Sequence, residues 1–277
     1  MPELPEVETI TRQLDEALAG KRIESVELLR SGREEPVGKK FVACLTGKKI
    51  KKIERRAKLV VWRFADGSVM FTHLKMTGRL VLADKGIKPG KHDRAIFGFS
   101  VRGTKNAARD VLVWSDVRQF GFMKCLSADE ARKVLDAYGP EPLEISVKEF
   151  ADRLLKPKTR KVKVALMDQS TIAGIGNIYA DEALFRAGIR PTRPLGKLTA
   201  KERSEIAKQV QKLLKLSIKH RGTSANDYVD ASGKQGNFLK LLQVYGKGGE
   251  KCVKCGTPIK RIVIGQRGTH YCPRCQK

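Results

Sequence analysis

The chain has 277 residues, 41% of them hydrophobic, and its 56 Lys and Arg against 30 Asp and Glu give a formal charge of +26 and a pI near 10.0. This is enough apolar material for a sizeable core split between two domains, which excludes a disordered basic tail, and a cation excess far above what solubility needs points to a polyanion, most commonly through phosphate contacts. With no basic-plus-apolar leader and no long apolar run, neither export nor membrane insertion is expected, and a cytoplasmic monomer is the expectation.

Residues 5–19 predict an amphipathic helix: Val7, Ile10, Leu14 and Leu18 recur at helical spacing, Pro5 suits a first turn and Gly20 a stop. Ahead of it stands Met1-Pro2-Glu3. Removal of the initiator methionine before a small residue would expose the secondary amine of Pro2. α-Amino groups titrate near about 8, well below lysine, so an uncharged nucleophilic fraction exists at neutrality, more so beside cations. Attack on an aldehydic carbon would give an iminium. Glu3 then suits proton transfer, and Glu6 suits organisation of the site from the first helical turn. Three carboxylates here, Glu8 included, also complement the helix macrodipole, and residue types alone leave both readings open.

From about 22 to 126, short β-branched runs at 58–64, 69–74, 95–101 and 111–115, with Asp66-Gly67 as a hairpin turn, predict a mostly antiparallel β domain spanning 1–138. Cys44 and Cys125 lie in the apolar runs FVACL and FMKCL, which read as strands carrying buried free thiols rather than a secreted disulfide framework. Gly139-Pro140-Glu141-Pro142 reads as a linker into a helical region over 139–249. Ser146-x-x-Glu149 and Thr199-x-x-Glu202 have capping-box spacing, the second opening a helix with Ile206, Val210, Leu213 and Leu214 on one side. A helix near 160–168 runs into Gly174-Ile175-Gly176-Asn177 and a further helix over 178–187, a pair suggesting a nucleic-acid-binding element. A dinucleotide fold is rejected, because Tyr179 occupies the third glycine position and no strand precedes it. The polar segment 222–238 predicts a mobile loop.

Cys252, Cys255, Cys272 and Cys275 form C-x2-C-x16-C-x2-C over 250–277, the spacing of one structural Zn2+ held by four thiolates with no open coordination position. Between the pairs, 259–264 reads as a strand, Gly265-Gln266-Arg267-Gly268 as a turn and 269–271 as the returning strand. Arg267 would stand near the tip, suited to a groove of nucleic acid.

MPELPEVET, the RRAK segment ending at Lys58, THLKMTG, DVRQFG, GPEPL, GIGNIYADE, LQVYGKGGEKC and the cysteine quartet together closely resemble bacterial formamidopyrimidine-DNA glycosylase, in that family's order and over nearly the whole chain. The resemblance implies an α+β multidomain fold: an N-terminal helix with an antiparallel β-sandwich, a helix-two-turn-helix domain and a C-terminal zinc β-hairpin. It implies damaged double-stranded DNA as partner, with excision of 8-oxoguanine and formamidopyrimidines followed by β,δ-elimination. Pro2 then looks like the nucleophile at C1′, Glu3 the proton carrier, Glu6 the supporting carboxylate and Lys58 a phosphate ligand near the flipped nucleotide. His73, Asn177 and Arg267 match DNA contacts, although Asn177 by type alone also suits a helix cap.

Chemistry at C1′ needs the base out of the stack. Met76, Arg118 and Phe120 resemble the residues that fill the resulting hole, an apolar wedge, an aromatic face and a guanidinium for the orphaned cytosine. Their polar neighbours Lys75, Thr77 and Gln119 read as an exposed loop, and 222–238 resembles the segment that closes over the extruded base. Thr77 and Arg94, which follows KHD where a second histidine is expected, depart from the family pattern and bear on substrate preference. Two alternatives stay open. One is the endonuclease VIII branch, which prefers oxidised pyrimidines and against which Leu4 in MPELPEV speaks; the other is a zinc-bearing damaged-DNA-binding protein without catalysis.

Overall fold

Helix α1 (Leu4–Leu18) buries Val7, Ile10, Leu14 and Leu18 along one stripe, as their spacing requires, and stops two residues before Gly20, whose φ of +83° suits a residue without Cβ. A computed structural model describes residues 1–31, 33–100, 111–224 and 227–277. The chain divides into two units, one formed by Met1–Asp136 with His220–Asn237 and the other by Ala137–Lys219 with Phe238–Lys277.

In the first unit α1 is followed by β1 (Ile23–Leu28), β2 (Glu34–Glu35), α2 (Lys39–Leu45), β3 (Ile50–Arg56), β4 (Leu59–Phe64), β5 (Val69–His73), β6 (Gly78–Ala83), β7 (Asp93–Phe99), β8 (Val111–Asp116), β9 (Phe122–Leu126) and α3 (Ala128–Asp136). These strands make two sheets, ordered β1-β7-β8-β6 and β2-β9-β5-β4-β3, antiparallel throughout except for the short β2–β9 pair. Trp62, Met70 and Met123 from one sheet join Leu80, Phe97, Leu112 and Trp114 from the other and the α1 stripe in a single core. This is the sandwich with an N-terminal helix that the resemblance implied.

Cys125 lies on β9 as read, but Cys44 lies in α2 rather than in a strand. The burial of Phe41 and Leu45, four apart, shows why: the run follows a helical period, not alternation. Both thiols are free and half-buried. Strand β7 covers 95–99 of the 95–101 run; Ser100 follows the strand and Val101 lies outside the described residues.

The second unit contains α4 (Val147–Arg153), α5 (Val162–Met167), α6 (Asn177–Ala187), α7 (Ala200–Lys219), β10 (Lys260–Ile264) and β11 (Arg267–Tyr271). Ser146 caps α4 by accepting the Glu149 N–H at 3.1 Å, and Thr199 and Glu202 close a reciprocal box before α7. Helix α6 is buried on nearly every side, against α5, α7 and β11, and Tyr179 bonds Ser217 of α7 at 2.6 Å. Gly265 and Gln266, with φ of +54° and +60°, form the two-residue turn between β10 and β11. Arg267 therefore opens β11 opposite Ile264 rather than lying within the turn.

The sequence reading groups 222–238 with the helices, whereas the structure places His220–Asn237 in the first unit. The physical reason is a set of bonds to α1 and β6. The Gln13 amide donates to Asp230 at 3.1 Å and accepts from Ala231 N at 2.8 Å, and Leu82 N donates to Ala231 O at 2.8 Å. At the neck, Asn237 N donates to His220 O at 2.9 Å and Gly236 N to the Ser224 hydroxyl at 2.8 Å. The segment read as mobile is tied down at these points; Ala225 and Asn226 lie outside the described residues.

Candidate active site and nucleic-acid interface

Pro2, Glu3 and Glu6 are all buried at the start of α1, Glu3 at 2% and Glu6 at 1% exposure. Glu3 is the N-cap, and its N–H donates to Glu6 Oε2 at 2.8 Å in a capping box. The other oxygen, Oε1, accepts the Thr223 N–H at 2.7 Å. Gly222 makes this approach possible: at φ of +80°, a Cβ there would sit 2.9 Å from Glu6 Cγ and Oε1. Two residues on, Glu8 accepts from Arg55 of β3 at 2.7 Å, and Arg55 also donates to Ala57 O at 3.0 Å. Burial pushes the Glu8 carboxyl up, but the Arg55 and Arg12 guanidiniums outweigh it and hold the group below the usual range. This pair fixes the β3–β4 turn, with Ala57 at φ of +54°, beside α1, and that turn carries the buried Lys58.

His73 ends β5 opposite Leu59, the residue after Lys58, so the strand register brings these two site candidates together. Its Nδ1 accepts the Lys75 N–H at 2.9 Å and its ring lies 5.6 Å from that of Phe122. Burial, then the cations Lys75 and Lys58, lower the imidazole to about 3, so it is neutral.

The two loops bearing the hole-filling candidates are fastened to each other. Asp116 accepts the Thr77 hydroxyl through one oxygen and the Gly121 N–H through the other at 2.6 Å, and Thr77 Oγ1 accepts the Arg118 N–H at 2.9 Å. Thr77, read above as part of an exposed loop, is instead buried, because its hydroxyl serves this link. Met76 is half-buried, while Phe120 is 46% exposed with the Arg118 guanidinium 4.9 Å from its ring centroid. The Thr77–Asp116 link between the loops was not apparent from the residues alone, although both stand inside the quoted motifs.

In the second unit Gly176, not Asn177, is the N-cap of α6. Asn177 uses Nδ2 to donate to Gly268 O at 3.0 Å, holding the zinc hairpin one residue from the exposed Arg267. Buried Lys163 of α5 reaches the same strand, donating to Gly268 O at 3.2 Å and Thr269 Oγ1 at 2.7 Å while pairing with Asp181 of α6 at 2.6 Å. Asp181 in turn accepts the His270 N–H at 2.9 Å. One Glu182 oxygen accepts the N–H groups of Gln243, Val244 and Tyr245 at 2.8, 2.7 and 3.0 Å. Burial nevertheless pushes its carboxyl up. This anchor carries the LQVYG segment, and neither it nor Lys163 was apparent from the residues alone.

The four cysteine sulfurs lie within 4.8 Å of one another, with Cys255–Cys272 at 3.5 Å and Cys252–Cys275 at 4.0 Å. A tetrahedral Zn–S length of about 2.3 Å requires sulfur separations near about 3.8 Å, so the set fits one zinc. Lys254 N and Cys275 N point at Cys252 and Cys272 sulfurs at 3.4 Å, as expected of thiolate acceptors. All four positions of the ion would be filled, which makes the zinc structural.

The fold and the four-cysteine cluster together define a zinc-braced nucleic-acid enzyme. Comparison with known proteins agrees. Residues 1–123 match the formamidopyrimidine-DNA glycosylase N-terminal domain, 138–228 the formamidopyrimidine-DNA glycosylase H2TH domain and 249–277 the zinc finger found in FPG and IleRS. The chain is 41% identical over 280 residues to the formamidopyrimidine-DNA glycosylase of Carboxydothermus hydrogenoformans, covering all of both, and 39% identical to that of Ligilactobacillus salivarius, covering all of this chain and 99% of the relative. Lactococcus lactis Fpg in complex with abasic-site DNA superposes with a TM-score of 0.89 at 35% identity over 99% of each chain. The same enzyme with N7-benzyl-Fapy-dG DNA also gives 0.89 at 35% identity over all of both chains. The chain belongs to the formamidopyrimidine-DNA glycosylase family.

Proposed function

We propose that this chain is a bifunctional DNA glycosylase and AP lyase that removes oxidised purines, 8-oxoguanine and formamidopyrimidines, in base-excision repair. The observation that carries this reading is the burial of Pro2, Glu3 and Glu6 together. Carboxylates that only complement a helix dipole sit in water; these two are kept out of it beside Pro2, with Glu6 held in place by two backbone N–H groups, which suits a preorganised site.

Once Met1 is removed, the Pro2 nitrogen attacks C1′ of the damaged nucleotide. The bond from C1′ to the base breaks and the base leaves with a proton. Glu3 carries protons to and from the sugar as the ring opens to an iminium. Loss of a C2′ proton expels the 3′-phosphate, a second elimination expels the 5′-phosphate, and hydrolysis frees the amine. Glu6 orients this end through its two N–H contacts. Lys58, His73, Asn177 and Arg267 are assigned to the DNA backbone, and Met76, Arg118 and Phe120 to the space left by the extruded base. The structural zinc maintains the hairpin that presents Arg267. A monomer acting in the cytoplasm completes the reading; no helix among the described residues is long and apolar enough to cross a membrane.

The test is borohydride reduction with abasic-site DNA, followed by mass spectrometry of the intact protein. A covalent adduct mapped to Pro2 is expected, and an unmodified protein that still cuts the strand would reject the mechanism. Excision from 8-oxoguanine:cytosine rather than thymine-glycol:adenine duplexes separates the purine reading from the pyrimidine branch.

A further inference from the structure

Arg94 is where this chain departs from the expected KHD-histidine pattern, and the structure gives that departure an address. Asp93 pairs with Ser115 and Ala95 with Trp114, so Arg94 is the extra residue of a β-bulge in β7. Bulges re-aim a side chain out of the alternating pleat. The Arg94 side chain is accordingly buried, at 3% exposure, with its guanidinium 5.9 Å from the Trp114 ring centroid. It forms no ion pair among the described residues. Its two acceptors are the Ser31 carbonyl at 3.3 Å and the Gln119 side-chain oxygen at 3.1 Å. Its own carbonyl accepts the N–H groups of Leu29 and Arg30 at 2.9 and 3.2 Å, which holds the bulge in place.

Gln119 lies between Arg118 and Phe120 and has a φ of +58°, a left-handed conformation that non-glycine residues adopt at a cost. The Thr77–Asp116–Gly121 bonds clamp the two ends of this loop, at Arg118 N and Gly121 N, but leave its tip to other contacts. The Arg94–Gln119 bond is such a contact.

We propose that Arg94 is a positioning residue for the Arg118–Phe120 loop, and that through Gln119 it sets how strictly the enzyme requires cytosine opposite the lesion. This rests on the reading of Arg118 as the group that meets the orphaned base. Its guanidinium holds two acceptors at once, the Ser31 carbonyl and the Gln119 side-chain oxygen, and so ties the loop tip to the β7 bulge.

The test uses the full-length zinc-loaded protein with Arg94→Met, Gln119→Ala and the double variant. Each is assayed on 8-oxoguanine opposite cytosine and opposite adenine, and on an abasic-site duplex. Each single variant is expected to lower the cytosine-over-adenine preference about ten-fold, the scale of one bidentate base contact, with abasic-site cleavage and borohydride trapping unchanged within about two-fold. The double variant should be no worse than either single, as for two ends of one bond. An unchanged preference in Gln119→Ala, or an equal loss on all three substrates, overturns the proposal; Gln119 is exposed, so that variant decides even if Arg94→Met fails to fold. Absence of a trapped adduct in the unsubstituted protein would instead reject the underlying glycosylase reading.

Discussion

Glu6 Oε1 stands 2.7 Å from the backbone nitrogen of Thr223, joining the first turn of α1 to a segment 217 residues further along the chain. Because Oε2 of the same carboxylate holds Glu3 N at 2.8 Å, one buried side chain sets both the Glu3 end of the site and the neck of the 220–237 segment. Glu6→Gln keeps the shape but turns one acceptor into a donor facing an N–H. It should cost about 1–3 kcal/mol in urea unfolding, the scale of a buried polar group left without its partner. It should also lower borohydride trapping at Pro2 under conditions where the variant is fully folded. Gly222→Ala, which drives a methyl into Glu6, should reproduce both effects.

Thr77→Val is isosteric and removes only the hydroxyl that bridges Asp116 and Arg118 N. Asp116 is left without this donor in a buried setting, so a loss of about 1–3 kcal/mol is expected. Equilibrium denaturation with an unchanged m-value is the check. Wild-type stability would mean that Asp116 finds another donor.

Arg267→Ala removes an exposed cation next to the Asn177-held Gly268. DNA affinity should fall broadly across sequences, and the slope of log K against log salt should become shallower by about one. A titration series between low and moderate salt measures it, and an unaltered slope would remove Arg267 from the phosphate contacts.

Cys272→Ser, or chelation of the zinc, should unfasten β10 and β11 from α6. The cysteines share a small cluster with Phe185, Val244 and Ile259 that is too small to persist without the ion. Loss of one zinc per chain by atomic absorption, weakened DNA binding and an intact Pro2 amine are expected together. Full DNA affinity in the zinc-free protein would contradict the bracing role.

His73 titrates at about 3 when folded against an ordinary 6.5, so below pH 6.5 the unfolded chain takes up a proton that the folded one refuses. Its contribution to stability is thus fully present above pH 6.5 and is lost as pH falls toward 3, with a slope of up to about 1.4 kcal/mol per pH unit. His73→Gln should flatten the decline of Tm across that window. An identical decline in the variant would show that other groups carry it.

Several features were legible from residue order because local chemistry decides them. The apolar stripe of α1, the capping boxes before α4 and α7 and the hairpin between the cysteine pairs all depend on neighbours within a few positions. The same rules failed at Cys44, where a five-residue apolar window could not separate a strand from the short helix α2. They also failed at Thr77, whose polarity suggested water when its partner was a carboxylate 39 residues away.

By itself the sequence determined the zinc ligands and the proline-led start of α1, which are matters of residue type at a fixed spacing, while the family and the remaining site candidates came from whole motifs in a shared order. Tertiary structure alone decided that Glu6 meets Thr223, that Asn177 holds Gly268 rather than capping its helix, that 220–237 packs with α1, and that Arg94 supports Gln119. Such contacts are not carried by local spacing. They come from sheet register, a β-bulge and the burial of polar groups that must find partners wherever the fold brings them.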